Sequence, residues 1–193
     1  MMLLSNFNIQ GWMIVVAVLV VLVLWFIMTY NSLVRLRTAV EEAFSTVDVY
    51  LQKRFDLIPN LVATVKGYAA HEKETLENVI RARNLGMTAN SPEEKMAASN
   101  ELNSALSRLM VVVEQYPNLK ADTQFQQLMT ELSGLEGEIA NYRKFYNATV
   151  KNYNIKIESI PSNIVAGLTG FKPAELFVVT EEAARTRPEV SFE

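Results

Sequence analysis

The run "GWMIVVAVLVVLVLWFIMTY", Gly11 to Tyr30, constrains this chain more than any other stretch. It is about 20 residues without a charge, and at ~1.5 Å per residue a helix of that length crosses a hydrocarbon core of ~30 Å. Trp12 near one end, with Trp25 and Tyr30 toward the other, puts amphipathic rings where a bilayer meets water. A cleaved secretory signal fits less well. The run exceeds a usual signal-peptide apolar region, no lysine or arginine precedes it, and no A-x-A site follows. A core helix that is apolar all round needs more protein around it than one small domain supplies. The expectation is therefore an uncleaved transmembrane helix at 11–30 behind a short extracytoplasmic tail at 1–10. No charge precedes Arg35, whereas Arg35, Arg37, Lys53 and Arg54 follow the span, so the positive-inside rule holds the C-terminal part in the cytoplasm.

The 18 basic and 21 acidic residues of this 193-residue chain thus all fall after the span, interspersed and with a net charge of −3. That pattern lacks the basic stripe that displaces counterions from phosphate backbones, so nucleic acid is not an expected partner. Cysteine is absent, which removes disulfides, thiolate metal sites and cysteine nucleophiles together.

Beyond the span the dominant signal is a helical period. Leu33, Leu36, Val40, Phe44, Val47 and Leu51 recur at spacings of three and four, and nothing breaks the chain between Tyr30 and Leu33, so the membrane helix is expected to run on into this one. "RFDLIPN" then punctuates the pattern. Pro59 removes an amide donor and clashes one turn back, while Asp56 suits an N-cap, which favours a tight reversal here over a kinked continuous helix. A second seam carries Ile58, Val62, Val65, Ala69, Leu76 and Val79 and stops near Gly86 and Asn90. A third starts at Ser91-Pro92-Glu93-Glu94, with cap, proline and acidic first turn in order, and carries Leu102, Leu106, Leu109, Val113 and Tyr116. "YPNLKAD" breaks it, and Asp122 caps a long fourth helix with Leu128, Leu132, Leu135, Ile139, Tyr142, Tyr146, Val150, Tyr153 and Ile157 on one stripe.

The predicted fold is all-α: a transmembrane helix continuing into an antiparallel, up-down-up-down four-helix bundle over 31–158, with helices at about 31–55, 57–86, 92–116 and 122–158. The stretch 159–180 is apolar, interrupted by Pro161, Gly167, Gly170 and Pro173, and is expected beside the membrane or in an interface through residues such as Leu168 and Phe171. A charged tail, 181–193, is expected to be mobile.

Candidate chemistry is sparse. "HEKET" puts Thr75 where a zinc hydrolase needs its second histidine, and His71 is the only histidine in the chain, so no metal or other cofactor is expected. Glu72 falls on the seam between Ala69 and Leu76, where a charge needs a partner; Arg143 is one option, and a side chain leaning out to water is the other. The pairs Tyr146-Asn147 and Tyr153-Asn154 stand seven residues apart and so share a helix face. Packing for the rings, with hydrogen bonds from the amides to neighbouring groups, is preferred there over a ligand site. No phosphate loop or nucleophile elbow is present, and no enzymatic activity is expected.

"YNSLVRLRTAVEEAFSTVDVYLQKRFDLIPNLVATVKGYAAHEKETLENVIRARN", "YPNLKADTQFQQLMTELSGLEGEIANYRKFYNATVKNYN" and "IPSNIVAGLTGFKP" together resemble the LemA family. The resemblance covers about Tyr30 to Pro173. It departs at Phe44, where a tryptophan is frequent, and at Gln52-Lys53-Arg54, where "KRR" is usual. It implies a bacterial, membrane-anchored helical bundle with an outward N-terminus and no established enzymatic activity, and magnetosome-associated members suggest membrane organisation. The combined expectation is a non-enzymatic scaffold at the bacterial inner membrane, with the lipid bilayer and further copies of itself as partners. An adaptor that binds another membrane or stress-response protein is the alternative.

Overall fold

The structure, a computed structural model, describes residues 2–178, with side chains from Gly11 onward. Among these residues every regular element is helical: α1 Met2–Tyr68, α2 Lys73–Thr88, α3 Pro92–Val113, α4 Pro117–Lys120, α5 Thr123–Glu158 and α6 Ser162–Thr169. The expected mobile tail at 181–193 lies outside the described residues.

α1 corrects the expected reversal at Pro59, because it continues through the proline to Tyr68. A proline at this position leaves the carbonyl four residues earlier, that of Phe55, without its helical donor. Arg83 of α2 fills the vacancy, donating from Nε to Phe55 O at 3.3 Å, and the Pro59 ring itself is exposed. Asp56 is accordingly no N-cap; it sits mid-helix and accepts from Gln52 Nε2, one turn back, at 3.1 Å.

The chain instead turns at Ala69–Glu72, closed by a hydrogen bond from Glu72 N–H to Ala69 O at 3.1 Å. The expected helix at 57–86 is therefore split between the end of α1 and α2. Gly86, expected as a stop, lies inside α2. A methyl group there would stand 2.2 Å from the tip of the buried Phe55 ring, so this glycine lets α2 approach α1. α3 begins as predicted: Ser91 Oγ accepts from Glu94 N–H, and the Glu94 carboxylate reaches back to the Ser91 amide, completing a capping box. The expected break after it holds the single turn α4, pinned by the fully buried Leu119.

The described residues form two compact units, 43–147 with 175–178, and 2–42 with 148–174. In the first, Val47, Leu51, Phe55, Ile58 and Val65 of α1 meet Leu76 and Val79 of α2, Leu102 and Leu109 of α3, and Leu132 and Ile139 of α5 as buried core. Contacts between α1 and α5 run in opposite chain directions: Phe44 with Tyr146, Tyr50 with Tyr142, Arg54 with Glu136. Those between α1 and α3 run in the same direction, Asp48 pairing with Lys95 and Arg54 with Asn103. In the second unit Leu33 and Val40 of α1, Val150, Tyr153 and Ile157 of α5, and Val165 and Ala166 of α6 are buried. α6 ends at Gly170, whose φ of 76° is the left-handed geometry that a glycine adopts without strain.

Candidate functional site

Three polar constellations stand out, and each begins from a polar group on or beside an apolar seam. The first is Arg54, which occupies a seam position between Leu51 and Ile58 and is 1% exposed. Its Nη2 donates to Asn103 Oδ1 at 2.5 Å and its Nη1 to Ser99 Oγ at 3.5 Å. Its Nε lies 2.7 Å from Glu136 Oε1, but the N–H direction misses that oxygen, so the contact is a charge pair and not an aligned hydrogen bond. Burial pushes the guanidinium pKa down, and the Glu136 charge opposes the shift. An arginine so far above neutrality stays charged, so α1, α3 and α5 are tied to one buried cation. In the sequence Arg54 stands out as a basic residue after the span, not as a core residue. Its position three after Leu51 and four before Ile58 was the signal that placed it in the core.

The second constellation is the pair of tail clasps, which use the two Tyr-Asn pairs of α5. Within one unit Tyr146 Oη donates to Glu175 O at 3.0 Å, while Asn147 donates to Phe177 O at 3.0 Å and accepts from Phe177 N–H at 2.7 Å. Within the other, Tyr153 Oη donates to Lys172 O at 3.1 Å, and Asn154 makes the same reciprocal pair with Ala174, at 2.9 Å for each bond. Each asparagine amide thereby imitates one residue of a neighbouring strand and satisfies both main-chain groups of the residue it faces. Burial raises the pKa of both tyrosines, which keeps the hydroxyl protons in place as donors. Arg143 belongs to the same surface: its guanidinium lies 3.9 Å above the ring of the buried Phe177.

The third lies around the Ala69–Glu72 turn. Glu72 is at the N-cap position of α2, and its Oε1 accepts from Tyr116 Oη at 3.1 Å. Tyr116 is the partner in place of the two options read from the sequence, Arg143 or water. Arg143 stands 21 residues along α5 from Asp122, which Tyr68 contacts, and that is roughly 30 Å of helix. The hydrogen bond to Glu72 raises the Tyr116 pKa. His71 is exposed in the same turn, off any helix, and among the described residues no group of three or more His, Asp or Glu side chains converges to hold a metal ion. Asp122 does cap α5, accepting from Phe125 N–H at 2.9 Å and from Tyr68 Oη at 2.9 Å. The Phe125 amide, then the Tyr68 hydroxyl, hold its carboxyl below the usual carboxylate range.

A depressed folded-state pKa contributes stability that is present above the unfolded value and lost as the pH falls through the folded one. Asparagine caps a helix about as well as aspartate, so Asp122→Asn removes the charge and keeps the cap. Between about pH 5 and pH 3 the melting temperature of the unmodified chain is expected to fall more than that of the variant. Parallel melting curves across that interval would show that the Asp122 carboxylate does not carry the effect.

Of the two tail residues singled out in sequence, Phe171 is half-buried. Its ring meets Tyr30 edge-on at 5.8 Å and lies under the Arg37 guanidinium at 5.4 Å. Leu168 is open to its surroundings.

These features define an all-helical protein that has, among the described residues, one helix apolar and long enough to cross a membrane, at the N-terminus, and the most apolar window of that helix has no residue buried. A family model described as the LemA family matches residues 43–192, and the chain belongs to that family. It is 32% identical over 177 residues to Magnetosome protein MamQ 2 of Paramagnetospirillum magneticum, covering 78% of this chain and 65% of that protein, so it spans just under two thirds of that relative's length. Magnetosome protein MamQ of Magnetospirillum gryphiswaldense is 28% identical over 185 residues, covering 82% of this chain and 68% of its own. Protein LemA of Metamycoplasma hominis is 28% identical over 155 residues, covering 78% and 69%.

Proposed function

We propose that this protein is a non-enzymatic scaffold of a bacterial membrane, anchored by residues 11–30 with the bundle on the cytoplasmic side, and that it works by assembling with further copies of itself. One observation carries the reading: α1 is a single helix from Met2 to Tyr68, so the apolar anchor becomes a core helix of the bundle with no linker between them. An enzyme or a tethered binding domain has no need of such continuity, whereas a scaffold that fixes its bundles at a membrane does. The named relatives, two of them magnetosome proteins, support a bacterial setting for it. The uncovered apolar face of the anchor is the surface that supports contact between copies.

The adaptor reading is supported by a groove of about 700 Å³ between the last turns of α1 and α2. Val62, Leu76 and Ile80 contribute apolar lining, and Lys66, Lys73, Arg81 and Glu77 contribute charged groups. Cross-linking in intact cells separates the two. A ladder of self-multiples ending at one size, unaffected by Ile80→Asp, is the expected result. A single added species containing a foreign protein, lost on Ile80→Asp, would overturn self-assembly in favour of the adaptor.

A further inference from the structure

The unit that contains the end of the anchor also contains α6, and α6 has two apolar faces. Val165 and Ala166 are buried in the unit. On the other side Ile164 is 57% exposed and Leu168, one turn on, is 75% exposed, with Ile160 at 84% in the turn that leads into the helix. Large apolar side chains at spacings of four form a stripe along one face. No charge occurs from Ser159 to Phe171; charges resume at Glu158 on one side and Lys172 on the other.

The position of this stripe along the anchor identifies what covers it. Ile160 and Pro161 line a cleft of about 340 Å³ together with Trp25 and Thr29, residues of the apolar run itself, with Leu36 from the charged turn that follows it, and with Lys156. At the other end of α6, Phe171 packs against Tyr30 and Arg37. The helix therefore lies beside the last turns of the span and the first charged turn after it. That is the depth at which a bilayer changes from acyl chains to headgroups, where amphipathic helices lie. Lys156 and Lys172 flank the stripe with stems long enough to rest on apolar surface while their ammonium groups reach phosphate.

We infer that α6 is a second membrane contact: its Ile160–Ile164–Leu168 stripe inserts into the headgroup–acyl boundary of the lipid surface that the anchor crosses. The inference rests on the reading of residues 11–30 as a span, and its test keeps the two apart. The chain has no cysteine, so single cysteines carry an environment-sensitive fluorophore without further changes. Full-length Ile164→Cys and Leu168→Cys, labelled and reconstituted in phosphatidylcholine–phosphatidylglycerol vesicles, are compared with Val18→Cys in the span and Val111→Cys on the exposed face of α3. Lipids bearing a nitroxide near the headgroup are expected to remove most of the fluorescence at 164 and 168 and leave that at 111 intact. Quenching at 18 by a deep-chain nitroxide, with 164 and 168 behaving like 111, would overturn the inference while the anchor stands. No quenching at 18 would overturn both. Blue-shifted but unquenched emission at 164 and 168 would also overturn it, by showing that a second copy of the chain covers the stripe.

Discussion

Arg54→Ala is expected to lower the unfolding free energy of the full chain by about 2–5 kcal/mol, the range for truncating a large buried side chain to alanine. Three losses add up. Truncation opens a cavity at the crossing of α1, α3 and α5, leaves the fully buried Ser99 hydroxyl without its donor, and strands the Asn103 acceptor. Glu136 is less affected, because its side chain is 41% exposed and water can take over its charge. Glu136→Gln should therefore cost only about 1 kcal/mol, within the range of an exposed pair. Arg54→Met keeps most of the volume and brings no charge, so it should recover much of the loss seen with alanine. Urea unfolding in detergent micelles, followed by far-ultraviolet circular dichroism, gives all three values. A loss below about 1 kcal/mol for Arg54→Ala would mean that the buried cation is not a structural tie.

The second large effect is a contrast of sign among glycines. In a helix interior, glycine to alanine ordinarily stabilises by up to about 1 kcal/mol. Gly134 and Gly137 of α5 have nothing near the position of an added methyl, so alanine at either should raise the melting temperature. Gly86 is different, because three atoms of the Phe55 ring would lie within 2.2–2.7 Å of that methyl. Overpacking a filled core costs about 1–3 kcal/mol, which exceeds the propensity gain, so Gly86→Ala should lower the melting temperature. Shortening the ring should relieve the clash, and Gly86→Ala combined with Phe55→Leu is expected to be less destabilised than the sum of the two single variants. Additive single and double variants would show that the close approach is not what selects glycine here.

The seams were legible because a helical period needs only local spacing: Leu33, Val40, Val47 and Leu51 are all buried, as are Leu102, Leu109, Ile139 and Val150. The Ser91 and Asp122 caps were legible for the same reason. The breaks were not. Proline at 59 reads as a stop unless one knows that Arg83, 24 residues later, will supply its missing hydrogen bond. Ala69-Ala70 reads as good helix, and it is Tyr68 held by Asp122 and Glu72 held by Tyr116 that fix the turn there. The Tyr-Asn repeat was visible as a pattern, but its occupant is an extended segment without periodicity of its own. Arg54 entered the reading through its charge after the span, although its spacing placed it on the seam.

The clasps have a consequence for how this chain can vary. Three of their four anchoring contacts on the extended segment, at Lys172, Ala174 and Glu175, are to main-chain atoms alone, and at Phe177 the main chain is joined by a buried ring. A peptide backbone is the same whatever side chains it bears. Substitutions at 172, 174 and 175 can therefore accumulate without releasing the segment, with proline at 174 as the exception, since it removes the donor that Asn154 requires. The clasp fixes where this segment runs while leaving the chemistry of its outer surface open to change from one relative to the next.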